Sequence, residues 1–149
     1  MEFARWFAIA LALLSGSAEA SVQWRWSYQG QGVSASGTFT TRDEPNADGF
    51  YEIIGISGDV DGAAIAGLSQ AGTAIPGNEG YPVDNLVRST LPQLTPHGFG
   101  FGVSNGDYHN PFYSTRYRDY VSSPPHIAGA GKEPTVRFKA SLVHTPTKP

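Results

Sequence analysis

The stretch VQWRWSYQGQGVSASGTFTT, residues 22–41, decides the fold. Trp24, Trp26 and Tyr28 alternate with Gln23, Arg25, Ser27 and Gln29. After the turn cluster QGQG, Val33, Ala35 and Phe39 alternate with Ser34, Ser36, Thr38 and Thr40. Successive side chains of an extended strand point to opposite faces, so a period of two sends one set into a core and the other into water. TVRFKASLV (135–143) repeats the pattern, with Val136, Phe138, Ala140 and Leu142 against Arg137, Lys139 and Ser141.

Turn clusters separate such runs: RDEPNADG (42–49), SGDVDG (57–62) and SNGD (104–107). Eighteen glycines and eleven prolines suit a chain of short strands and tight turns. The expectation is all-β, a single antiparallel β-sandwich or small barrel of about six to eight strands, preceded by a signal-peptide helix. Within YSTRYRDYVSS (113–123), Tyr113, Tyr117 and Tyr120 stand at helical spacing, which allows one short helical turn. Residues 69–85 and 122–134 read as loops, the first long enough to suggest a functional or mobile segment.

The first twenty residues, MEFARWFAIALALLSGSAEA, place Arg5 before an apolar run from Trp6 to Leu14 and end in Ala18-Glu19-Ala20. That is the three-part layout of a secretory signal peptide, with an apolar run too short to span a membrane. Residues 1–20 are expected to be removed, leaving a β domain over 21–144 and a frayed tail over 145–149. Without Glu2, Arg5 and Glu19 the chain keeps nine basic and eleven acidic side chains, no charge balance for nucleic acid or anionic lipid. No cysteine is present, which excludes disulfides, thiolate chemistry and cysteine zinc sites. Export to the periplasm or the extracellular space fits such a chain, with polysaccharide or an envelope protein as partner.

GFGFGVSNGDYHNPFYS (98–114) invites a hairpin about Asn105-Gly106. A two-residue type I′ turn there pairs Val103 with Tyr108, Phe101 with Asn110 and Phe99 with Phe112 on a core face. His109 then faces Gly102 and Tyr113 faces Gly98 on the outward face, where each ring can lie across a glycine. In that register His97 and His109 fall on opposite faces and do not share a metal, and zinc needs three or four ligands.

Asp43, Glu44, Asn46 and Asp48 crowd oxygens into the RDEPNADG turn, offering a weak calcium site at most; no other cofactor is expected. Asp59-Val60-Asp61-Gly62 opens like a calcium loop but runs on into Ala63, Ala64 and Ile65, so a plain Asp-Gly hairpin turn is the better reading. Trp24, Trp26 and Tyr28 have the spacing of a sugar-stacking platform and equally that of one core face, which burial favours. No GxSxG elbow or HExxH helix is present, and nothing in the sequence ties a serine to one of the four histidines.

The run SGTFTTRDEPNADGFYEIIGISGDVDGAAIAGL, then YPVDNLV, then HGFGFGVSNGDYHNPFYS, resembles a domain of secreted bacterial proteins that often carry the PEP-CTERM sorting signal read by exosortase. The similarity covers about residues 36–114. After Leu142-Val143 comes HTPTKP in place of Pro-Glu-Pro, an apolar helix and basic residues, so the resemblance implies the exported domain without its sorting tail. It brings no catalytic residue. The expected function is an exported, non-catalytic envelope or extracellular-matrix module. The alternatives are a small secreted hydrolase and a glycan- or calcium-binding module. Asp43, Glu44, Asn46, Asp48, His109 and Tyr113 are the candidate binding residues.

Overall fold

The computed structural model describes residues 20–123 and 135–143. Apart from Ala20, the expected signal peptide lies outside those residues, as do most of the 122–134 loop, His126, His144 and the tail. Nine strands follow in order: β1 (Ser21–Gly30), β2 (Val33–Arg42), β3 (Tyr51–Val60), β4 (Ala63–Leu68), β5 (Leu86–Val87), β6 (Phe101–Val103), β7 (Tyr108–Ser114), β8 (Asp119–Ser123) and β9 (Arg137–Leu142). All pair antiparallel in the spatial order β8-β7-β6-β4-β3-β2-β1-β9, with the two-residue β5 set against β3. No helix occurs among the described residues, and none is long and apolar enough to cross a membrane.

The sheet curls until its ends meet, so of the two expected architectures a nearly closed barrel is the one formed. Val136, just before β9, donates its N–H to the Tyr120 carbonyl of β8 at 2.9 Å. Beyond that bridge a side chain completes the seam. Gln93 accepts the Ala140 N–H at 3.0 Å and donates to the Ala140 carbonyl at 2.8 Å, as a neighbouring strand would. Its own backbone N–H goes to the Tyr120 hydroxyl at 2.8 Å. Burial pushes the Tyr120 phenol up.

Curling needs relief in the ladders. The register slips between Thr40 and Thr41 and again between Ile65 and Gly67. Gly37 faces Gly58 so closely that a Cβ on Gly37 would stand 1.8 Å from the Ser57 carbonyl oxygen. Only glycine fits at such an approach.

The alternation read from the sequence holds in β1 and β2. Trp24, Trp26, Tyr28, Ala35 and Phe39 are buried, while Arg25, Ser34 and Ser36 are exposed. Trp24, Trp26 and Tyr28 are therefore core residues and not a sugar platform. Phe99 occupies the middle of the barrel. Its ring meets Phe39 edge-on at 4.9 Å and Trp26 at 5.7 Å, with Phe101 and Phe138 each at 5.8 Å. Such aromatic pairs add about 0.5–1.5 kcal/mol each beyond the area they bury. The Trp24 indole finds Thr41 Oγ1 at 3.0 Å. Trp26 Nε1 is buried without an acceptor; Tyr28 Oη and Ser122 Oγ are neighbours that do not reach regular hydrogen-bond geometry.

The 98–114 hairpin differs from expectation by one residue. The loop holds three residues, Ser104, Asn105 and Gly106, with Val103 N–H bonded to the Asp107 carbonyl at 2.8 Å and Gly106 at φ 94°. A glycine in the left-handed region closing a three-residue loop is the next commonest hairpin after the type I′ turn. Phe101 therefore pairs with His109 and Gly102 with Tyr108. Because the side-chain period is two, this slip turns every side chain of β7 over. His109 enters the core, 2% exposed and stacked on Phe101 at 5.5 Å. Tyr113 also turns inward, against Tyr120 at 5.8 Å. A tyrosine does lie across Gly102, but it is Tyr108.

One further expectation changes. Residues 113–120 form the β7–β8 hairpin in place of a helical turn, because Tyr113 and Tyr120 are cross-strand partners and Tyr117 is exposed at the tip. The 69–85 segment packs over the 98–114 hairpin. Ile75 and Val83 are each 1% exposed and pack on Gly100, where an added Cβ would come within 2.8 Å of Ile75. The Asp61-Gly62 turn between β3 and β4, with both residues at positive φ, is the expected hairpin turn.

The closure makes a prediction. Gln93→Leu keeps the bulk but strands the Ala140 N–H and carbonyl, and should cost about 2–3 kcal/mol at roughly 1 kcal/mol or more per lost bond. A urea-unfolding midpoint equal to that of the native chain would show that the seam does not depend on this amide.

Candidate functional site

One end of the barrel gathers the groups with chemical potential. The 42–46 turn with Phe50, Glu52 of β3, and Asp84 with the start of β5 surround an open groove of about 570 Å³. Asp43, Glu44, Asn46, Glu52 and Asp84 line it, with Phe50 and Leu86 as apolar floor. The sequence thus marked one wall, Asp43, Glu44 and Asn46, and missed the other.

Asn46 is spent on the turn. Its Oδ1 accepts the N–H groups of Asp48 and Phe50, both at 3.0 Å, and its backbone pairs with Phe50 at 2.8 Å. Asparagine is favoured in turns because its side chain can satisfy the backbone two residues on. Arg88 fastens the same turn from below. Its guanidinium donates to the Asp48 carbonyl at 3.1 Å and to Pro92 at 2.8 Å, and lies over the Phe50 ring at 4.4 Å. Arg42 pairs with Glu52 at 2.7 Å, an exposed bridge of little energetic weight that still offsets one of the groove's charges. Asp43, Glu44 and Asp48 are exposed carboxylates.

The missed wall is Asp84, held from behind by Thr95. Thr95 Oγ1 donates to Asp84 Oδ2 at 2.5 Å and accepts the N–H groups of His97 and Gly98, both at 3.1 Å. Leu86 N–H donates to Asp84 Oδ1 at 3.2 Å. Burial pushes the Asp84 carboxyl up, against the pull of Thr95, Leu86 and the nearby His97. His97 itself is exposed and uses Nδ1 on the Pro82 carbonyl at 2.9 Å. A carbonyl only accepts, so Nδ1 carries the proton. His109 and Tyr113, the remaining candidates, stand on the inner face and are not part of the groove.

Nearby amides hold the segments that form the rim. Asn85, with φ 54°, accepts from Gly100 N–H at 3.2 Å and donates to the Ser69 carbonyl at 2.7 Å. Asn110 donates to the His97 and Phe99 carbonyls at 3.0 and 2.9 Å and accepts from Asn78 at 2.9 Å. A signal for these was present: an amide inside an apolar run such as YHNPFY is costly to bury unless it bonds backbone.

The groove can accept hydrogen bonds from hydroxyls or cations through its carboxylates. Among the described residues no group of three or more His, Asp and Glu side chains is placed to hold a metal ion. Compared with known proteins, the chain matches no family model, no curated sequence and no solved structure.

Asp84 sets a pH test. Its folded-state pKa lies above the unfolded value, so the proton favours the folded chain. Its contribution is most favourable below the ordinary carboxylate value of about 3.9 and is lost as pH rises through the raised one. Asp84→Asn should remove that falling limb from the curve of unfolding free energy against pH. An unchanged curve would refute the assignment.

Proposed function

We propose that this chain is an exported, non-catalytic module of a bacterial envelope or extracellular matrix, whose work is binding. The observation that carries the reading is how the reactive groups at the barrel mouth are used. Thr95 Oγ1 has three hydrogen-bond partners, Asn46 Oδ1 two, and the His97 ring one, and all of them hold backbone or orient a side chain that does. A nucleophile needs its lone pair and its base aligned toward substrate, and a hydroxyl that already accepts two N–H groups has none to offer. Rigid sheet with fixed loops is the usual support for recognition.

The N-terminal pattern supports export, and the resemblance to exosortase-sorted domains read from the sequence of residues 36–114 points the same way. A small hydrolase is the weaker reading: Asp84, Thr95 and His97 adjoin, yet the only hydrogen bond among their side chains is the one that orients Asp84. Calcium at Asp43, Glu44, Asn46 and Asp48 would have to compete with the two N–H groups already on the Asn46 oxygen.

Expression in a Gram-negative host tests the reading. The chain should be recovered outside the cytoplasm with a mass that begins at Ser21. Recovery of the unprocessed chain from the cytosol would overturn it.

A further inference from the structure

We propose that the outward face of β9, β1 and β2 is a docking trough for a linear anionic polysaccharide, one bearing carboxylate or sulfate groups. The proposal names a ligand class for the exported binding module above and rests on that reading for its biological setting.

Strand pairing fixes what this face displays. One row across the sheet reads Ser141, Arg25, Thr38 and Ser57; the next reads Lys139, Ser27, Ser36 and Asp59; a third reads Arg137, Gln29 and Ser34. Arg25, Arg137 and Lys139 are exposed, and none has an ion-pair partner among the described residues. Strands rise about 3.4 Å per residue, so the three rows lie about 7 Å apart and the cations step along roughly 14 Å of the face. Hydroxyls and an amide that donate and accept in any direction fill the space between them.

Hollows open between the outward side chains of this face: one of about 550 Å³ around Arg25 and Thr38 shares Ser27, Ser36 and Lys139 with a second of about 360 Å³ around Gln29 and Arg137. The two join into one trough, with the short Ser27 and Ser36 as its floor. A third hollow of about 630 Å³ shares Gln29 and Arg137 but is lined by Asp119 as well, so the acid-free trough ends at Arg137. A continuous open trough suits a chain polymer better than a small molecule, which needs enclosure.

Charge selects the polymer. The chain is net negative at −3, so three cations along one face mark a local reversal of sign. Two acids bound the trough on its β3 side: Asp59, three strands from Lys139 or about 14 Å at ordinary strand spacing, and Asp61, whose Oδ1 accepts the Ser34 N–H at 3.0 Å. Nucleic acid would offer the same charge, but single-strand binders stack bases on aromatic rings, and the rows of this face hold none.

Titration calorimetry of the purified full chain tests this with polygalacturonate, dextran sulfate, uncharged dextran and poly(dT) of matched length. Saturable binding to polygalacturonate or dextran sulfate is expected, weakening from about 50 to 500 mM salt as screening shortens. Binding to polygalacturonate alone assigns carboxylate recognition; binding to dextran sulfate alone assigns sulfate. R25Q/K139Q should weaken binding at least tenfold, Arg137→Gln should weaken it to a lesser degree, and Arg116→Gln, on the β7–β8 turn, should leave it unchanged. All four residues are exposed, so unfolding midpoints should not move. No binding to either polyanion, equal binding to uncharged dextran, tighter binding to poly(dT), or unaltered binding by R25Q/K139Q would each overturn the proposal. Because the titration uses purified protein, its failure leaves the export reading standing, and failed export leaves the titration standing.

Discussion

Closure of the sheet is the constraint from which the rest of the structure follows. An antiparallel sheet of this length has two edges, each a row of backbone donors and acceptors that must find partners. Here the first and last edges meet: β8 and Val136, just before β9, share one backbone bond, and the Gln93 amide bridges the remaining gap at Ala140. To bring the edges together the strands must bend, at Gly37 and Gly58 and at the two register slips. Once bent, the inward residues of strands far apart in sequence point at one axis. Large rings fill that space, and Phe99 can touch residues of β1, β2, β6 and β9 at once because the sheet surrounds it.

Where the fold was legible, two signals agreed. In β1 and β2 the alternation of aromatic and polar residues fixes the buried face, and Gln31-Gly32 between them supplies a turn with both residues at positive φ. Asp61-Gly62 does the same for β3 and β4. The 98–114 hairpin gave conflicting signals. Phe99, Phe101 and Val103 set the inner face of one arm, but in the other arm both alternatives look apolar: Tyr108 and Phe112 on one side, His109, Pro111 and Tyr113 on the other. With hydrophobicity silent, the register rested on turn length alone, and Asn-Gly serves a three-residue loop as well as a two-residue one. The structure also covers part of the outer face, at Gly100 beneath Ile75 and Val83 and at the buried Asn110. A strand covered on both sides has no alternation to read.

The groove was half legible for a related reason. Asp43, Glu44 and Asn46 crowd one turn, so their shared wall could be seen in a short window. Asp84 and Thr95 are eleven residues apart, and the amides that hold the rim and the seam, Asn85, Asn110 and Gln93, reach partners 16, 32 and 47 residues away. Such contacts are set by closure of the barrel and not by local chemistry. What local pattern does show is that they must exist, since an amide inside an apolar segment has to find backbone to bond.

A strand that sends Trp24, Trp26 and Tyr28 inward must send Arg25, Ser27 and Gln29 outward, whatever they are. The inward set is held by packing, because a change of even one methylene is felt in a filled interior. The outward set is spaced by the same ladder but carries no packing role, so its chemistry can vary at almost no cost in stability. At the barrel mouth part of that freedom is lost, because Asn46, Asp84, Arg88 and Thr95 are occupied in tying segments together. The outer face of β9, β1 and β2 combines fixed spacing with free choice of side chain, which is what recognition of a repeating polymer requires. Its run of cations and hydroxyls, on a chain of opposite net sign, is the composition such a choice would leave.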